Sequence, residues 1–299
     1  METLDNLKKI LDTSKSIKQV VSTMKALSGA NIKKYEKVVK ILYAYRSNIE
    51  LALQAIMIYD PNININDFDY IKNTKDKKNL MIVFGSNQGL CGRFNDKIVN
   101  FVAEDIDKSE TNKLIVVGDR LNMLMESTKL DIVKSLPIPN SIENISNTIY
   151  ELLQIIEEEI ENKTSDKVFL YYTANDETIN GTLTKTRLIP IDKKILETAQ
   201  KKVWPTNNIP YWQVDTRTLM SDLLKQYIFV MLNNALANSI SSEQKNRLIT
   251  LQNAENNIND LIKSKSLEYN QKRQSTITSE LLDVITGYSV SKKKKKNNN

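Results

Sequence analysis

The chain has 299 residues, of which 40% are hydrophobic and 26% charged, with no histidine and a single cysteine, Cys91. This length and composition are sufficient for a sizeable buried core. The missing histidines exclude serine triads and cysteine–histidine dyads, and the lone cysteine excludes an internal disulfide and a cysteine-built zinc site.

The formal net charge of +6 is unevenly distributed along the chain. Residues 292–296 are five lysines, and without them 37 basic residues face 36 acidic ones. Nine lysines lie between Lys8 and Lys40, where Asp12 and Glu36 are the only acidic residues. This basic stripe indicates either a solvated helix face or a surface that attracts acidic elements of a partner.

The sequence has no stretch near the roughly 18 apolar residues that a membrane span needs. Its first residues show neither the apolar region nor the cleavage site of a signal peptide. We therefore expect a soluble protein that is not exported.

The N-terminal segment is predicted to be one long helix. All six prolines and five of the seven glycines lie between residues 61 and 212, so both ends of the chain are nearly free of helix breakers. Apolar side chains recur at alternating spacings of three and four over residues 3–58, as in a coiled coil, and the helix would be about 80 Å long. One seam position holds Leu7, Val21, Tyr35, Leu42, Ile49 and Ile56, and the other holds Ile10, Ile17, Met24, Val38, Tyr45 and Ala52.

Residues 61–212 are predicted to form a Rossmann-like α/β domain, after an N-terminal helix at residues 1–60. Short apolar runs at 79–84, 113–117 and 167–172 indicate strands. Amphipathic stretches at 95–106 and 142–160 indicate helices between them. About 150 residues is an ordinary size for one such domain.

A glycine-rich turn with the sequence GSNQGLCG follows the first predicted strand at residues 85–92. Its glycines, Gly85, Gly89 and Gly92, are spaced GxxxGxxG, which matches neither the dinucleotide motif GxGxxG nor a P-loop. We interpret the segment as a structural strand-to-helix turn and predict no cofactor. Cys91 lies in this turn, and without a histidine to activate its thiol it is interpreted as a small, semi-buried residue.

A second long helix is predicted at residues 213–290, and it could exceed about 100 Å. Its apolar stripe includes Leu219, Leu223, Tyr227, Val230 and Met231 early, and Leu248, Leu251, Ile258, Leu261, Ile277, Leu281 and Val284 later. The N-terminal helix is its natural partner. The expected fold is therefore α/β, with a long antiparallel two-helix coiled coil formed by both termini and an inserted Rossmann-like domain. Residues 291–299, a lysine and asparagine tail, are expected to be disordered.

The residues alone leave two function classes open. A Rossmann-fold dehydrogenase or transferase would need a cofactor turn that the glycine spacing does not provide and acid–base groups that the missing histidines make scarce. A coiled-coil scaffold or nucleic-acid binder would explain the helices and the basic tail, but not the α/β domain.

Three segments resemble the γ subunit of F-type ATP synthases. Residues 268–287, EYNQKRQSTITSELLDVITG, are similar to that family's C-terminal helix, YNKARQAxITxELxEIVxGA. Residues 85–95, GSNQGLCGRFN, are similar to its turn SDRGLCGGFN, and residues 17–27, IKQVVSTMKAL, resemble its ITKAMKMV helix. The residues after Met24 depart from the usual pattern and look more like the variant F-type enzymes called N-ATPases.

The resemblance implies a non-catalytic central rotor shaft inside a hexamer of alternating α and β subunits. The globular domain would lie against the ε subunit and the c-ring of the membrane sector. Rotation would couple ion flow to ATP synthesis or hydrolysis in the other subunits. The complex would be peripheral on the cytoplasmic face of a bacterial inner membrane, and neither nucleic acid nor a metal is implied.

By the same resemblance, two groups of residues contact the β subunits. Met24 and Lys25 fall where the N-terminal helix faces the β levers, which are acidic in this family, so the basic stripe is expected to attract them. The polar contacts of the C-terminal helix fall at Arg273, Gln274, Thr278 and Glu280. Asp283 stands where glutamate is usual, which shortens the reach of that side chain.

Overall fold

The computed structural model describes residues 3–60, 63, 68, 70–71, 78–106, 109–128, 130–139, 141–175, 181–201 and 203–297. Side chains are described for all of these except 198–201 and 289–297. The tail prediction for residues 298 and 299 therefore lies outside the described part.

Both ends of the chain are long helices, as the scarcity of glycine and proline predicts. Helix α1 is Leu4–Tyr59, with 56 residues, and helix α6 is Thr216–Asn297, with 82 residues. Helix α6 extends past the boundary predicted at residue 290 and includes the lysine run that was expected to be disordered. Lysine is a good helix former, so the run has no residue that would end the helix before Asn297.

The described residues between these helices contain one five-stranded sheet, four shorter α-helices and two 3-10 helices, at Glu126–Thr128 and Ile142–Asn144. The strands are β1 Lys78–Phe84, β2 Thr111–Val117, β3 Asp131–Leu136, β4 Lys167–Ala174 and β5 Thr182–Ile189. The helices are α2 Phe94–Asp105, α3 Asp119–Met125, α4 Ile145–Glu161 and α5 Lys193–Lys201. The strand order is β3-β2-β1-β4-β5, with β5 antiparallel to β4 and the other neighbours parallel. The first four strands have the order of a doubly wound fold.

Apolar cores cover both faces of the sheet. One core joins a face of the sheet to α1, α4 and α6, and the other joins the opposite face to α2 and α3. In β1, Leu80, Ile82 and Phe84 belong to the first core and Met81 and Val83 to the second. Strands buried on both faces are continuous apolar runs in the sequence, which is why β1, β2 and β4 are predictable from it.

Two strands, β3 and β5, are absent from the sequence prediction. Both lie at an edge of the sheet, and most of their residues are exposed or half-buried. Edge strands carry polar and charged side chains because one of their sides faces solvent. Their sequences, DIVKSL and TLTKTRLI, therefore lack the apolar run that marks an inner strand.

The chain divides into two compact units, one of residues 28–248 and one of residues 1–27 with residues 249–299. The first is called the central unit and the second the terminal unit. Parts of both long helices belong to the core of the central unit, where Leu53 and Ile56 of α1 and Leu224 and Leu232 of α6 are buried. Helix α1 ends at Tyr59 and helix α6 begins at Thr216, near the boundaries predicted at residues 60/61 and 212/213, and the packing continues across both boundaries.

One of the two predicted seam positions in α1 is displaced by one residue. At the first seam position Leu7, Tyr35, Ile49 and Ile56 are buried and Val21 and Leu42 are half-buried. The second seam is wrong for Ile17 and Tyr45, which are 49% and 41% exposed. The inward positions lie one residue later, where Leu11 and Leu53 are 8% and 2% exposed and Lys18, Lys25 and Arg46 are half-buried. Long cationic side chains can bury their aliphatic stems, so a hydropathy pattern does not recognise them as inward-facing.

Candidate functional site

The glycine-rich turn lies at the carboxyl end of β1, immediately before α2. The Gly85 N–H donates to the Val117 carbonyl at 2.8 Å, which continues the pairing of β1 with β2 beyond the strand. A β-carbon at Gly85 would lie 2.4 Å from that of Leu121, which is fully buried. Glycine at this position is therefore required for the close packing of α3 on the end of β1.

Polar groups of the turn are bonded within the chain. The Ser86 N–H donates to Asn95 Oδ1 at 3.0 Å, and Asn95 Nδ2 donates to Ser86 Oγ at 2.8 Å. Asn87 Oδ1 accepts the Ile138 N–H at 2.8 Å, and Asn87 Nδ2 donates to the Ile138 carbonyl at 2.8 Å. Together with the bond from Gly85 to Val117, these bonds connect the carboxyl ends of β1, β2 and β3, which favours the structural interpretation of the turn over a phosphate cradle.

Cys91 is buried in this turn, and Gly92 after it has a φ of 61°. Burial raises the pKa of the Cys91 thiol, whose Sγ lies 3.7 Å from both Ser86 Oγ and the Gln88 carbonyl oxygen. A thiol with a raised pKa is mostly protonated and therefore a poor nucleophile. The described geometry favours the predicted packing role for Cys91.

The polar middle of α6 covers the carboxyl ends of β1 and β4. Ser239 Oγ donates to the Phe84 carbonyl at 3.2 Å, and Ser242 Oγ donates to the Thr173 carbonyl at 3.2 Å. In doubly wound sheets a ligand binds between the two strands where the strand order reverses, which here are β1 and β4. In this chain helix α6 occupies that crevice. Its polar side chains bond to carbonyls at the strand ends, which explains why the buried middle of the helix contains serines and asparagines.

Arg247 of α6 forms a buried ion pair within its own helix and a hydrogen bond to the glycine-rich turn. Arg247 lies 2.5 Å from Glu243 Oε1, with both side chains almost fully buried, and it also donates to the Gly89 carbonyl at 3.3 Å. Gln244 Nε2 donates to Glu243 Oε2 at 2.8 Å. Burial raises the pKa of the Glu243 carboxyl, and the Arg247 charge opposes that rise. Sequence reasoning missed this pair, because Glu243 and Arg247 have the i, i+4 spacing of an ordinary exposed helix pair.

In the terminal unit, the two long helices are joined at Lys25. Lys25 Nζ donates to Gln252 Oε1 at 3.1 Å and to Glu255 Oε2. The hydrogen bond from Lys25 lowers the pKa of Glu255, and Lys18 contributes to this shift through its charge. Lys25, predicted to face the β levers, therefore has polar partners within its own chain, whereas its neighbour Met24 is half-buried.

The predicted contact residues of α6 are all exposed. Arg273, Gln274, Thr278 and Glu280 lie on the described surface, and so does Asp283. Thr278 Oγ1 donates to the Gln274 carbonyl at 2.8 Å, one turn earlier in the helix. Their side chains are accessible to a partner, and the contact itself stays a prediction.

Apolar side chains of the terminal unit are also exposed, and sequence reasoning misplaced several of them. On α1 they are Ile17, Val20 and Leu27, and on α6 they are Leu261, Leu267, Ile277, Leu281, Leu282, Val284, Ile285 and Tyr288. The predicted stripe put Leu261, Ile277, Leu281 and Val284 in the helix seam. Every residue from 277 to 288 is exposed instead, with Val284 at 70%. Exposed apolar patches of this kind mark surfaces that bind a partner.

Exchanging the charges of Lys25 and Glu255 tests whether Lys25 pairs with Glu255 within the chain. Lys25→Glu is expected to speed amide hydrogen exchange in residues 18–25 by roughly twofold to fivefold, because two carboxylates would then face each other. The double variant Lys25→Glu/Glu255→Lys restores opposite charges and should restore the original exchange rates. The same pairing should weaken as the pH falls through the lowered pKa of Glu255, since protonation removes its charge. Equal exchange rates in the single and double variants would contradict the intrachain pairing.

None of the described helices combines the length and apolar content that crossing a membrane requires. The described residues contain no cluster of cysteine, aspartate and glutamate suited to holding a metal ion.

Comparisons with known proteins match nearly the whole chain to one family. A family model described as ATP synthase matches residues 3–290. The ATP synthase gamma chain of Rickettsia typhi is 28% identical over 297 residues, covering 95% of this chain and 99% of the relative. That of Buchnera aphidicola is 28% identical over 292 residues, covering 94% and 97%.

Solved structures of low sequence identity have the same fold. The rotor of the Euglena gracilis mitochondrial ATP synthase in rotational state 1 aligns with a TM-score of 0.60 at 16% identity, covering 92% of this chain and 98% of that one. A chain of the OSCP/F1/c-ring structure of the same enzyme in rotational state 3 aligns with a TM-score of 0.62 at 16% identity, covering 96% of this chain and 94% of that one. On the family match and the relatives together, the chain belongs to the ATP synthase family as one of its gamma chains.

Proposed function

We propose that this chain is the central rotor shaft of a bacterial F-type ATP synthase. It couples ion flow through the membrane c-ring to ATP synthesis or hydrolysis in a surrounding α3β3 hexamer. The catalytic sites lie in those other subunits, and the chain reaches the membrane only through the complex, as part of its peripheral sector. The ε subunit is the further partner. The match to gamma chains over about 95% of the length disfavours the alternative of an unrelated coiled-coil scaffold.

The observation that carries this proposal is the exposed apolar surface of the terminal unit. Ile17, Val20 and Leu27 of α1 and the apolar residues 277–288 of α6 are open to solvent. A soluble monomer rarely exposes so many large apolar side chains along one segment without a partner. A hexamer that encloses this segment would cover them.

An antiparallel coiled coil in the terminal unit accounts for where the exposure of α6 begins. Lys25 of α1 contacts Glu255 of α6. The first residue of α1, Leu4, lies 21 residues before Lys25, and residue 276 lies 21 residues after Glu255. Because both helices rise equally per residue, the N-terminal end of α1 at Leu4 would lie beside residue 276. Half-buried residues on α6 end at Thr276, which supports this pairing. Residues 277–288 would then form a single helix that projects beyond the coil.

The basic stripe supports the same role. Seven of its nine lysines are exposed: Lys8, Lys9, Lys15, Lys33, Lys34, Lys37 and Lys40. Attraction between these lysines and acidic β levers would not fix a single orientation, because charge attraction is only weakly directional. Met24, Arg273, Gln274, Thr278 and Glu280 are the proposed contacts with the β subunits, and Lys25 would act mainly through its bond to α6.

The test replaces exposed apolar residues of α6 without disturbing the fold. Ile277→Gln/Leu281→Gln/Val284→Gln is expected to leave the thermal unfolding of the isolated chain nearly unchanged, because these side chains are already in water. Binding to α and β subunits should weaken by about tenfold or more, since the lost apolar burial affects only the complex. ATP-driven ion uptake by vesicles containing the reconstituted complex should fall as binding to the α and β subunits weakens.

The matched control is Asn253→Gln/Asn257→Gln/Asp260→Gln, which changes three exposed polar residues of the same helix. This variant should assemble and pump normally. Unchanged assembly and pumping by the apolar variant would show that residues 277–288 do not lie against the hexamer, and the proposed shaft would be rejected.

A further inference from the structure

The buried middle of α6 is polar, whereas the turns of the helix before it are mostly apolar. Leu232 and Leu236 are buried apolar residues of those earlier turns. Seven of the nine residues from Asn238 to Asn246 are instead polar or charged and buried. Polar groups are costly to bury, and well-packed apolar residues at such positions often stabilise a fold equally or more. Stability alone therefore does not account for residues 238–247, which are called the polar stretch of α6.

On the β1 side, the polar stretch bonds to the end of the strand and to the glycine-rich turn. Ser239 Oγ donates to the Phe84 carbonyl at 3.2 Å, and Arg247 donates to the Gly89 carbonyl at 3.3 Å. Glu243 lies one turn before Arg247 on the same helix and orients the guanidinium as its ion-pair partner. The helix is therefore attached at two points on this side.

On the β4 side, three further side chains of the polar stretch are bonded. Ser242 Oγ donates to the Thr173 carbonyl at 3.2 Å. Directly after β4, the Asn175 N–H donates to Asn238 Oδ1 at 3.2 Å, and Asn175 Nδ2 donates to Ser241 Oγ at 3.0 Å. The stretch thus bonds to both strands that border the crevice and to the turn that follows one of them.

The attached positions surround a large part of the helix. Between Asn238 and Arg247 the helix rises about 13 Å, and at about 100° per residue Ser242 and Arg247 lie roughly 140° apart around its axis, with Ser239 between them. Sliding α6 by one residue, about 1.5 Å, or turning it about its axis would break these bonds together, because hydrogen bonds weaken steeply with distance and angle. Apolar packing resists such a movement less specifically, since one apolar side chain can take the place of another.

We propose that the polar stretch of α6 is a torque joint, which keeps the helix from turning or sliding within the central unit while force passes through it. This inference rests on the proposed rotor function. In that role the central unit is attached at the c-ring, and α6 continues from it as part of the shaft. Slip between α6 and the sheet would allow ATP to be hydrolysed without moving ions. Ser239, Ser242, Glu243 and Arg247 are thus positioning residues for coupling.

The test replaces these bonds by apolar packing in the joint variant Ser239→Ala/Ser242→Ala/Glu243→Leu/Arg247→Met. The full-length variant should unfold within a few degrees of the unmodified chain, because apolar residues can replace a buried ion pair and alanine favours the helix more than serine does. The reconstituted complex should assemble and hydrolyse ATP. The number of ions moved per ATP should fall, most strongly against an opposing ion gradient.

Cys91 gives a second measurement of the joint, because it is the only cysteine of the chain and lies buried in the glycine-rich turn. Its alkylation in the complex reports how often the turn and α6 separate. During ATP hydrolysis the joint variant should be alkylated about fivefold faster or more, since the loss of even one hydrogen bond shifts an opening equilibrium by about that factor. The unmodified complex should be alkylated equally slowly at rest and during hydrolysis.

The matched control is Lys134→Met/Glu151→Leu, which makes the same exchange in the 3.2 Å ion pair between β3 and α4. It should keep the normal number of ions per ATP. Ser239→Ala/Ser242→Ala alone removes two bonds without adding bulk, and it should give a smaller loss of ions per ATP.

Three results would each overturn the joint while leaving the rotor function intact. They are normal coupling in both joint variants, an equal loss of coupling in the control, and a loss confined to variants whose unfolding temperature is lowered. If the unmodified chain did not assemble with the other subunits or support pumping, the proposed rotor function would be rejected, and the joint with it.

Discussion

Arg247→Ala is expected to destabilise the central unit by about 3 kcal/mol or more at pH 8. The substitution leaves the Glu243 carboxyl without its cation in a site that is almost completely buried. An unpaired buried charge is far more unfavourable than a lost surface pair. It also removes the hydrogen bond from α6 to the Gly89 carbonyl.

The pH dependence of this effect has a definite sign. Burial already raises the pKa of Glu243 above its unfolded value, and removal of Arg247 should raise it further. A carboxyl whose folded pKa is raised destabilises the fold as the pH rises from the unfolded toward the folded pKa. The loss in Arg247→Ala should therefore be smaller at pH 5 than at pH 8, because a protonated Glu243 needs no cation.

Urea unfolding of the full chain at both pH values measures this difference. The double variant Glu243→Gln/Arg247→Ala should recover part of the stability at pH 8 and abolish the added pH dependence. Arg217→Ala, at an exposed position near the start of α6, is the matched control and should change the free energy of unfolding by no more than about 0.5 kcal/mol. An equal loss at pH 5 and pH 8 would show that Glu243 does not carry the penalty.

Gly85→Ala is expected to destabilise the central unit by about 2 kcal/mol. The added β-carbon would lie 2.4 Å from the β-carbon of Leu121 and 2.6 Å from its Cδ2. Leu121 is fully buried, so α3 would have to move from the end of β1 to relieve the overlap. Gly85 does not have a positive φ, so alanine would recover only the entropy it removes from the unfolded chain, about 0.4–1 kcal/mol.

Gly89→Ala, four residues later in the same turn, is the matched control. A β-carbon at Gly89 meets no atom within 4 Å, so the free energy of unfolding should change by no more than about 0.5 kcal/mol. Thermal or urea unfolding of the two variants compares them directly. Equal loss in both variants would mean that the turn itself, and not the contact with Leu121, sets the requirement for glycine.

Gly85 and Gly89 show the limit of a sequence motif. The spacing GxxxGxxG predicts a turn after a strand, and the structure has a turn there. The spacing does not say which glycine is required for packing, because the side chain that Gly85 must avoid comes from Leu121, 36 residues later. The contact of Gly89 with Arg247 is likewise invisible locally, since those residues are 158 apart in the sequence.

Sequence reasoning located the exposed side chains of the terminal unit only in part. The polar residues assigned to partner contacts on α6 are exposed, as that role requires. The apolar residues Ile17, Ile277 and Leu281, assigned to the seam, are exposed as well. Periodicity shows that a helix has an apolar stripe, but it does not distinguish a stripe covered by the same chain from one left for another chain.

By itself, the sequence determined the two long helices, the three inner strands and the family, because these depend on helix breakers, continuous apolar runs and local motifs. The tertiary structure alone decided that α6 fills the crevice between β1 and β4, that Lys25 pairs with Glu255, and that the core of the central unit includes parts of both long helices. It also decided which apolar side chains stay in water. The physical reason is that burial and pairing are set by residues far apart in the chain, and a local pattern contains no information about which distant segment arrives beside it.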